Sequence, residues 1–408
     1  MRRDTSILQS ELPLREEQRN GRVDLLHVVP AYHPARGGVE VLVENLAEGL
    51  RDGYGITSAV LAPALPGERP SDYVHRGTRV YSVPVRTEMM APAQDQQPTP
   101  PTPQETLQVM TGVYSAIRQV CWASKPRILH VHAASLLAPG AVSIAMSQSI
   151  PVVMHVHGTI HAWDPPNFRG RVRDATWVCA VADAVANSIR LDCERTGPIT
   201  VLRNGVVDPL RTTLPSGSSS PSVAMVGRLS PEKGFDDGLR ALALARRQLP
   251  DLRVRLVGSG PMTNGLHRVA REVGLVDSVD YFGQLENADT LRVIAGSDVV
   301  LIPSREEGFS LVAVEAALLE RPVVATAVGG LPETVIDGVT GILVAAGDLG
   351  AMARAVTGLL LDRYEALRLG QQARARALTE FAMDRFVGEL AELYATIWAP
   401  TNNLDQPQ

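Results

Sequence analysis

Cysteine is scarce, a basic surplus is missing, and no apolar run is long enough to span a bilayer. The chain holds three cysteines in 408 residues: Cys121, Cys179 and Cys193. Their odd number and wide spacing fit neither a zinc site nor a redox pair, so free thiols in a reducing compartment are expected. Lys plus Arg number 39 against 44 for Asp plus Glu, a net charge of −5. That mild acidity argues against a duplex nucleic-acid partner, which would need a basic footprint. A small anion held by a few local cations stays compatible with it. The longest apolar runs fall well short of the roughly 20 residues of a membrane helix. The first twenty residues hold Arg2, Arg3 and Arg15 without the apolar core of a signal peptide. A cytoplasmic location is expected, with peripheral contact to a membrane surface left open.

What is present is an alternation of short apolar runs and helical periodicity. Residues 1–20 are polar and aperiodic and read as a tail. Val23–Val29 reads as a strand, and after a loop Val39, Leu42, Val43, Leu46 and Leu50 share one helical face. Further strands are expected at Ile56–Leu61, Val80–Val83, Ile128–Val131 and Val152–Val156. Helices are expected at Gln104–Trp122 and Leu136–Ser147. Residues 91–103 are proline-rich and read as a surface loop. A break at Leu214–Ser222 reads as linker, after which the alternation restarts. Strands are expected at Val223–Val226, Val254–Val257, Val279–Phe282, Val299–Ile302, Val323–Ala325 and Ile342–Val344. Helices follow at Phe235–Gln248 and Ser310–Leu319, and through about 348–398. This order implies an α/β protein of two Rossmann-like parallel sheets. The expected division is an N-terminal domain over 21–208, a linker over 209–221, and a C-terminal domain over 222–382.

Ligands of such sheets bind beyond the carboxyl ends of the strands. After the first strand, Arg36, Gly37 and Gly38 open a helix whose free N–H groups suit a phosphate, although such a pair is often only a turn. After Val226, Arg228 and Lys233 flank a tight turn. They either clamp a diphosphate or remain solvated cations. Gly258 and Gly260 let a flat base lie against backbone, without completing the GxGxxG dinucleotide pattern. Glu307 lies in a loop and Glu315 two helical turns beyond it, so both carboxylates can face one site and accept from sugar hydroxyls. Gly308, Phe309 and Ser310 can add backbone N–H groups. Glu306 and Glu307 also suit a helix N-terminus without any ligand. Glu315, set among Val312, Val314 and Ala316, needs a partner. His130, His132, His155, His157 and His161 end two strands. Each is ordinarily structural, and His157, beside Gly158, is best placed to meet a substrate. No helix presents these histidines and no Asp or Cys clusters with them, so no metal site is expected. Arg169, Arg171 and Arg173 read either as a lipid- or phosphate-attracting patch or as a solvated helix face.

In chain order the segments GGVEVLVENLAEGL, MHVHG, VANSIR, VLRNGVV, GRLSPEKG, VGSGP, SREEGFSLVAVEA, VGGLPE and DGVTGILV resemble glycosyltransferase family 4, the retaining GT-B glycosyl transferases of group 1. The likeness spans about Val23 to the mid 390s. It implies two facing domains with a cleft and a final helix, 383–400, crossing back onto the first. Arg228 and Lys233, helped by Gly37 and Gly38, would hold the donor diphosphate. Glu315 would bind ribose hydroxyls. Glu307, with Gly308, Phe309 and Ser310, would bind the transferred sugar, and His157 would stand near the reacting centre. The co-substrate would be a nucleoside-diphosphate sugar and the acceptor a glycan, a lipid-linked group or a small molecule. No metal or other cofactor would be needed. Ser310 departs from the family's frequent Gly, and Glu320-Arg321 from its Ala-Gly pair. A nucleotide-sugar epimerase of similar fold and a non-catalytic nucleotide-sugar binder are the competing readings. A serine hydrolase is disfavoured because no G-x-S-x-G elbow occurs.

Overall fold

A computed structural model of the chain describes residues 22–33, 37–64, 71–83, 103–132, 137–160, 168–209 and 220–399. The expected tail, most of the proline-rich loop and linker, Arg36 and His161 lie outside the described residues. The chain forms two compact units. The first comprises residues 1–180, 188–202 and 384–408, the second 181–187 and 203–383. Residues 203–208, grouped by sequence with the N-terminal domain, thus cluster with the second unit.

The first unit carries an eight-stranded sheet ordered β3-β4-β2-β1-β5-β6-β7-β8. Its strands are β1 (Leu25–Val28), β2 (Ser58–Pro63), β3 (Asp72–His75), β4 (Thr78–Val83), β5 (Ile128–His132), β6 (Val152–Val156), β7 (Trp177–Ala180) and β8 (Ile199–Val201). All neighbours pair in parallel except β3 with β4, an antiparallel edge hairpin. The central strands β1, β5 and β6 are buried at every residue, as expected where helices cover both faces. Helices α1 (Gly38–Tyr54), α2 (Pro103–Ser124), α3 (Ala138–Ser147), α4 (Phe168–Asp174) and α5 (Asp183–Asp192) connect them. Arg169, Arg171 and Arg173 lie on the short α4.

The second unit carries an all-parallel six-stranded sheet, ordered β11-β10-β9-β12-β13-β14. These strands are β9 (Ser222–Val226), β10 (Arg253–Val257), β11 (Val279–Gly283), β12 (Val299–Ile302), β13 (Val323–Thr326) and β14 (Gly341–Val344). The connecting helices include α6 (Phe235–Arg246), α7 (Thr263–Glu272), α8 (Asn287–Ala295), α9 (Leu311–Leu318) and α10 (Leu331–Thr334). The chain closes with α11 (Leu349–Leu361), α12 (Arg363–Glu380) and α13 (Met383–Trp398). From Asp384 onward the chain belongs to the first unit again. There Tyr394 hydrogen-bonds His130, Phe386 packs on His155, and Arg127 lies over the Trp398 ring. Two differences from the periodicity are instructive. The strands β3, β7 and β8 escaped it because they are short, and β3 and β8 are only partly buried. The long C-terminal helical stretch is three helices, divided at Asp362 and Phe381. Among the described residues, no helix is long and apolar enough to cross a membrane.

Candidate functional site

In the second unit β9 and β12 are neighbours, so the loops that follow them meet. The loop after β9 turns through Pro231–Lys233 into Gly234, which sits at φ +60°. A Cβ there would stand 2.1 Å from the carbonyl oxygen of Pro303, a clash that backbone cannot relieve. The loop after β12 is stitched to this turn. Amides of Arg305 and Glu306 donate to Glu232 O at 2.7 and 3.2 Å, and Arg305 pairs with Asp236 and Asp237.

This stitching brings Lys233 to Glu307. The ammonium lies 2.9 Å from both carboxylate oxygens. Ser304 donates to Glu307 Oε2 at 3.1 Å, and Thr326 on β13 in turn donates to the Ser304 carbonyl. Gly330 N donates to Glu307 O at 3.0 Å, fixing the loop from the other side. Glu307 is therefore held at both its carboxylate and its backbone. Sequence reasoning missed Ser304, Thr326 and Gly330 as supports, because nothing in their spacing links them to the glutamate. Arg228 sits at the start of the same loop, two residues after β9, and is exposed.

Gly308, Phe309 and Ser310 lead into α9. Phe309 turns its ring into the core, edge-on to Phe381 at 5.4 Å, so only its backbone is available to a ligand. Ser310 caps the helix, its hydroxyl accepting from Ala313 N, and holds φ at +70°. The left-handed conformation explains why glycine suits this position. Glu315 follows on α9. Burial raises its pKa to about 7, opposed by a hydrogen bond from Asn287 Nδ2 at 3.1 Å. Asn287, the first residue of α8, is a partner that the sequence did not reveal.

Gly258 and Gly260, after β10, have a steric role of their own. A Cβ on Gly258 would lie 1.8 Å from Gly227 O, and one on Gly260 2.4 Å from Leu229 O. Leu229 N donates to Ser259 O, and Met262 N to Leu229 O. The loops after β9 and β10 are thus laced together, with Gly258 buried, Gly260 half-buried, and Arg228, Ser259 and Pro261 exposed.

The first unit holds the remaining candidates. Gly37 is the N-cap of α1, with Gly38 the first helical residue. The anion site at this helix end is already occupied. The buried Glu40 carboxylate has its pKa raised by burial, while backbone hydrogen bonds from Glu40 and Gly37 act to lower it. A glutamate at the third helical position reaching back to the cap is the reciprocal half of a capping box, a signal present in the sequence as Gly37-x-x-Glu40.

His157 follows β6. Its Nε2 lies 3.3 Å from His132 Nδ1, while its Nδ1 is buried without a hydrogen-bond partner among the described residues. Burial lowers its pKa to about 3, so the ring is neutral. It ends a group of five. Register pairs His27 with His130 and His132 with His155, which sets His27, His130, His132 and His155 on one sheet face, with His157 two residues beyond. One ring nitrogen from each of His27, His130 and His132 lies within 4.8 Å of the others, and the same holds for His132, His155 and His157. Neighbouring parallel strands supply the support that helical spacing does not.

The fold is that of a GT-B glycosyltransferase: two α/β units, each on a parallel sheet. Sucrose-phosphate synthase from Thermosynechococcus elongatus superposes with a TM-score of 0.75 at 21% identity, over 93% of this chain and all of that one. Anabaena HepE, in complex with UDP and glucose, superposes with a TM-score of 0.71 at 20% identity, over 92% of this chain and all of that one. Residues 208–376 match the family model for glycosyl transferases group 1, and residues 37–205 match a glycosyl transferase 4-like domain. A glycogen synthase of Mycobacterium tuberculosis is 31% identical over 292 residues, 66% of this chain and 69% of that protein. A D-inositol 3-phosphate glycosyltransferase of Mycobacterium marinum is 40% identical over 182 residues, 43% of this chain and 38% of that protein. The chain belongs to the group 1 glycosyl transferases and is an enzyme of the hexosyltransferase type.

Proposed function

We propose that the enzyme transfers a hexose-like group from a nucleoside-diphosphate sugar to an acceptor hydroxyl, keeping the anomeric configuration. The observation that carries this reading is the Lys233–Glu307 pair, set at the carboxyl ends of β9 and β12. A cation for phosphate and a carboxylate for hydroxyls stand in direct contact, each on a braced loop. Arg228 joins Lys233 on the diphosphate, by a guanidinium fork beside a point charge. Glu315 accepts from the ribose hydroxyls. Glu307 and the backbone of Gly308, Phe309 and Ser310 hold the transferred sugar. The base lies against the glycine backbone at Gly258 and Gly260. In the first unit His157 is assigned to the transferred sugar, and Gly37 and Gly38 to phosphate, which has to displace the Glu40 carboxylate from this helix end.

Glu307, the carboxylate assigned to the sugar, is committed to an ammonium and a hydroxyl, which suits a hydrogen-bonding role rather than attack on the anomeric carbon. A front-face displacement is therefore the mechanism proposed. The leaving phosphate takes the acceptor proton while positive charge develops on the sugar. The protein contributes position and electrostatics, and the cations offset the leaving charge without a metal. A glycan, a lipid-linked group or a small molecule would serve as acceptor.

UDP is the first donor nucleotide to test, because HepE is described with UDP-glucose as well as with UDP and glucose. Melting-temperature shifts with UDP, GDP and ADP and their sugars identify the base, since a ligand stabilises by mass action. NMR of the product's anomeric centre then reads the stereochemistry. Inversion would overturn the mechanism, and release of an epimerised free sugar would overturn the transferase reading.

A further inference from the structure

The geometry points to a structural transition-metal site in the first unit, in which His27, His130 and His132 ligate one divalent ion of the Zn²⁺ class. His130 and His132 stand two residues apart on β5, and His27 stands beside them on β1, all on one sheet face. All three are fully buried, and one nitrogen of each lies within 4.8 Å of the other two.

The remaining nitrogens show how the rings are oriented. His27 Nε2 contacts Ser58 Oγ at 3.3 Å, His130 Nδ1 contacts the Tyr394 hydroxyl at 2.6 Å, and His132 Nδ1 contacts His157 Nε2 at 3.3 Å. Each ring is thus tethered through one nitrogen, as metal-bound imidazoles are by their outer partners. The nitrogens left over are His27 Nδ1, His130 Nε2 and His132 Nε2. Two of these lie 3.0 Å apart, and His130 Nε2 is buried with no hydrogen-bond partner among the described residues. That orphan is costly in a closed core, and a metal ion would satisfy it. Metal–imidazole bonds of about 2.0–2.1 Å need small shifts from these separations. Burial lowers the pKa of each ring, leaving the lone pairs unprotonated for ligation. Imidazoles suit Zn²⁺, Co²⁺, Ni²⁺ and Cu²⁺, and a solvent molecule would complete a tetrahedral shell.

Occupancy has a consequence for His157. With the ion on His132 Nε2, the His132 proton must sit on Nδ1 and be donated to His157 Nε2. His157 then carries its own proton on Nδ1 and presents a donor there. The ion itself takes no part in group transfer.

The test uses the full chain, because the site is covered by α13. Protein purified without added metal is analysed by elemental mass spectrometry. It is also refolded from denaturant with Co²⁺, and the visible d–d bands are recorded. Stoichiometric metal, or intense tetrahedral Co²⁺ bands, is the expected result. His130→Gln and His27→Gln should lose it, while His267→Gln in the second unit should keep it. Should the variants fail to fold, wild-type protein decides alone. Stripping by a strong chelator should then lower its melting temperature, and Zn²⁺ should restore it. Absence of metal after purification together with no Co²⁺ uptake on refolding overturns the site. So does unchanged binding in folded His130→Gln and His27→Gln.

Discussion

The Lys233 ammonium sits 2.9 Å from each oxygen of the Glu307 carboxylate, a bridge across 74 residues of sequence. The cation assigned to phosphate neutralises the acid assigned to sugar. A donor diphosphate must therefore compete with Glu307 for Lys233, and its arrival frees carboxylate oxygens for hydroxyls. Lys233→Met should lower kcat/KM by on the order of 100-fold or more, as expected for loss of a charge-assisted contact to a developing anion. Glu307→Gln should act mainly on kcat. The pair is partly exposed, so either change should cost only about 1 kcal/mol of stability. Steady-state kinetics with matched denaturation curves separate these effects. Wild-type turnover in both variants would remove the pair from the mechanism.

Gly234 makes that pair possible. The residue follows Lys233 at φ +60°, and the space where a Cβ would go is filled by Pro303 O. Gly234→Ala should destabilise the protein by about 3 kcal/mol or more, since both strain and a backbone clash oppose it. The clash also pushes apart the loops bearing Lys233 and Glu307, so activity should fall in the fraction that remains folded. An alanine variant with a wild-type denaturation midpoint would show that the turn does not depend on the glycine.

Much of this was legible in the sequence, and the rest has a physical reason for being hidden. Strands such as Val299–Ile302 declared themselves by short continuous apolar runs, and Lys233, Glu307 and Glu315 by their place after strands. The partnership of Lys233 with Glu307 depends on β9 lying beside β12, a sheet order that no local period encodes. The same limit hid Asn287 and Ser304, polar residues whose value lies in what they touch. It hid the histidine face as well. His27, His130 and His155 are far apart in the chain and become neighbours through parallel register. Glu40 is the opposite case, because its cap pattern stood in the sequence unused.

Glu315 should impose a pH dependence on donor binding. Burial raises its pKa to about 7, so the carboxyl is protonated below that value and ionised above it. A carboxylate accepts two hydroxyl hydrogen bonds, whereas the acid must donate its own proton. Donor affinity should thus rise with pH through about 7, by roughly tenfold between pH 6 and 8 if binding requires the ionised form. Calorimetric titration of the donor across that range measures it. Glu315→Gln should bind weakly at every pH. A wild-type affinity that does not change from pH 6 to 8 would argue against a carboxylate on the ribose.

Acid should unfold the first unit through its histidines. His27 and His157 have pKa values near 3, and burial also lowers those of His130, His132 and His155. In the unfolded chain each returns to about 6.5. The folded state keeps them neutral, so the unfolded state takes up more protons as pH falls below 6.5. Their stabilising effect is complete above that pH and is lost on acidification toward 3. Each histidine costs about 1.4 kcal/mol per pH unit in that window, and five acting together would take several times that amount. Denaturant midpoints between pH 7 and 5 should fall steeply, ahead of the range where most carboxylates titrate. Replacing His155, which packs on Phe386, with leucine should flatten the slope by one histidine's share. A midpoint that holds constant from pH 6.5 to 5.5 would mean that these rings accept protons without leaving the fold.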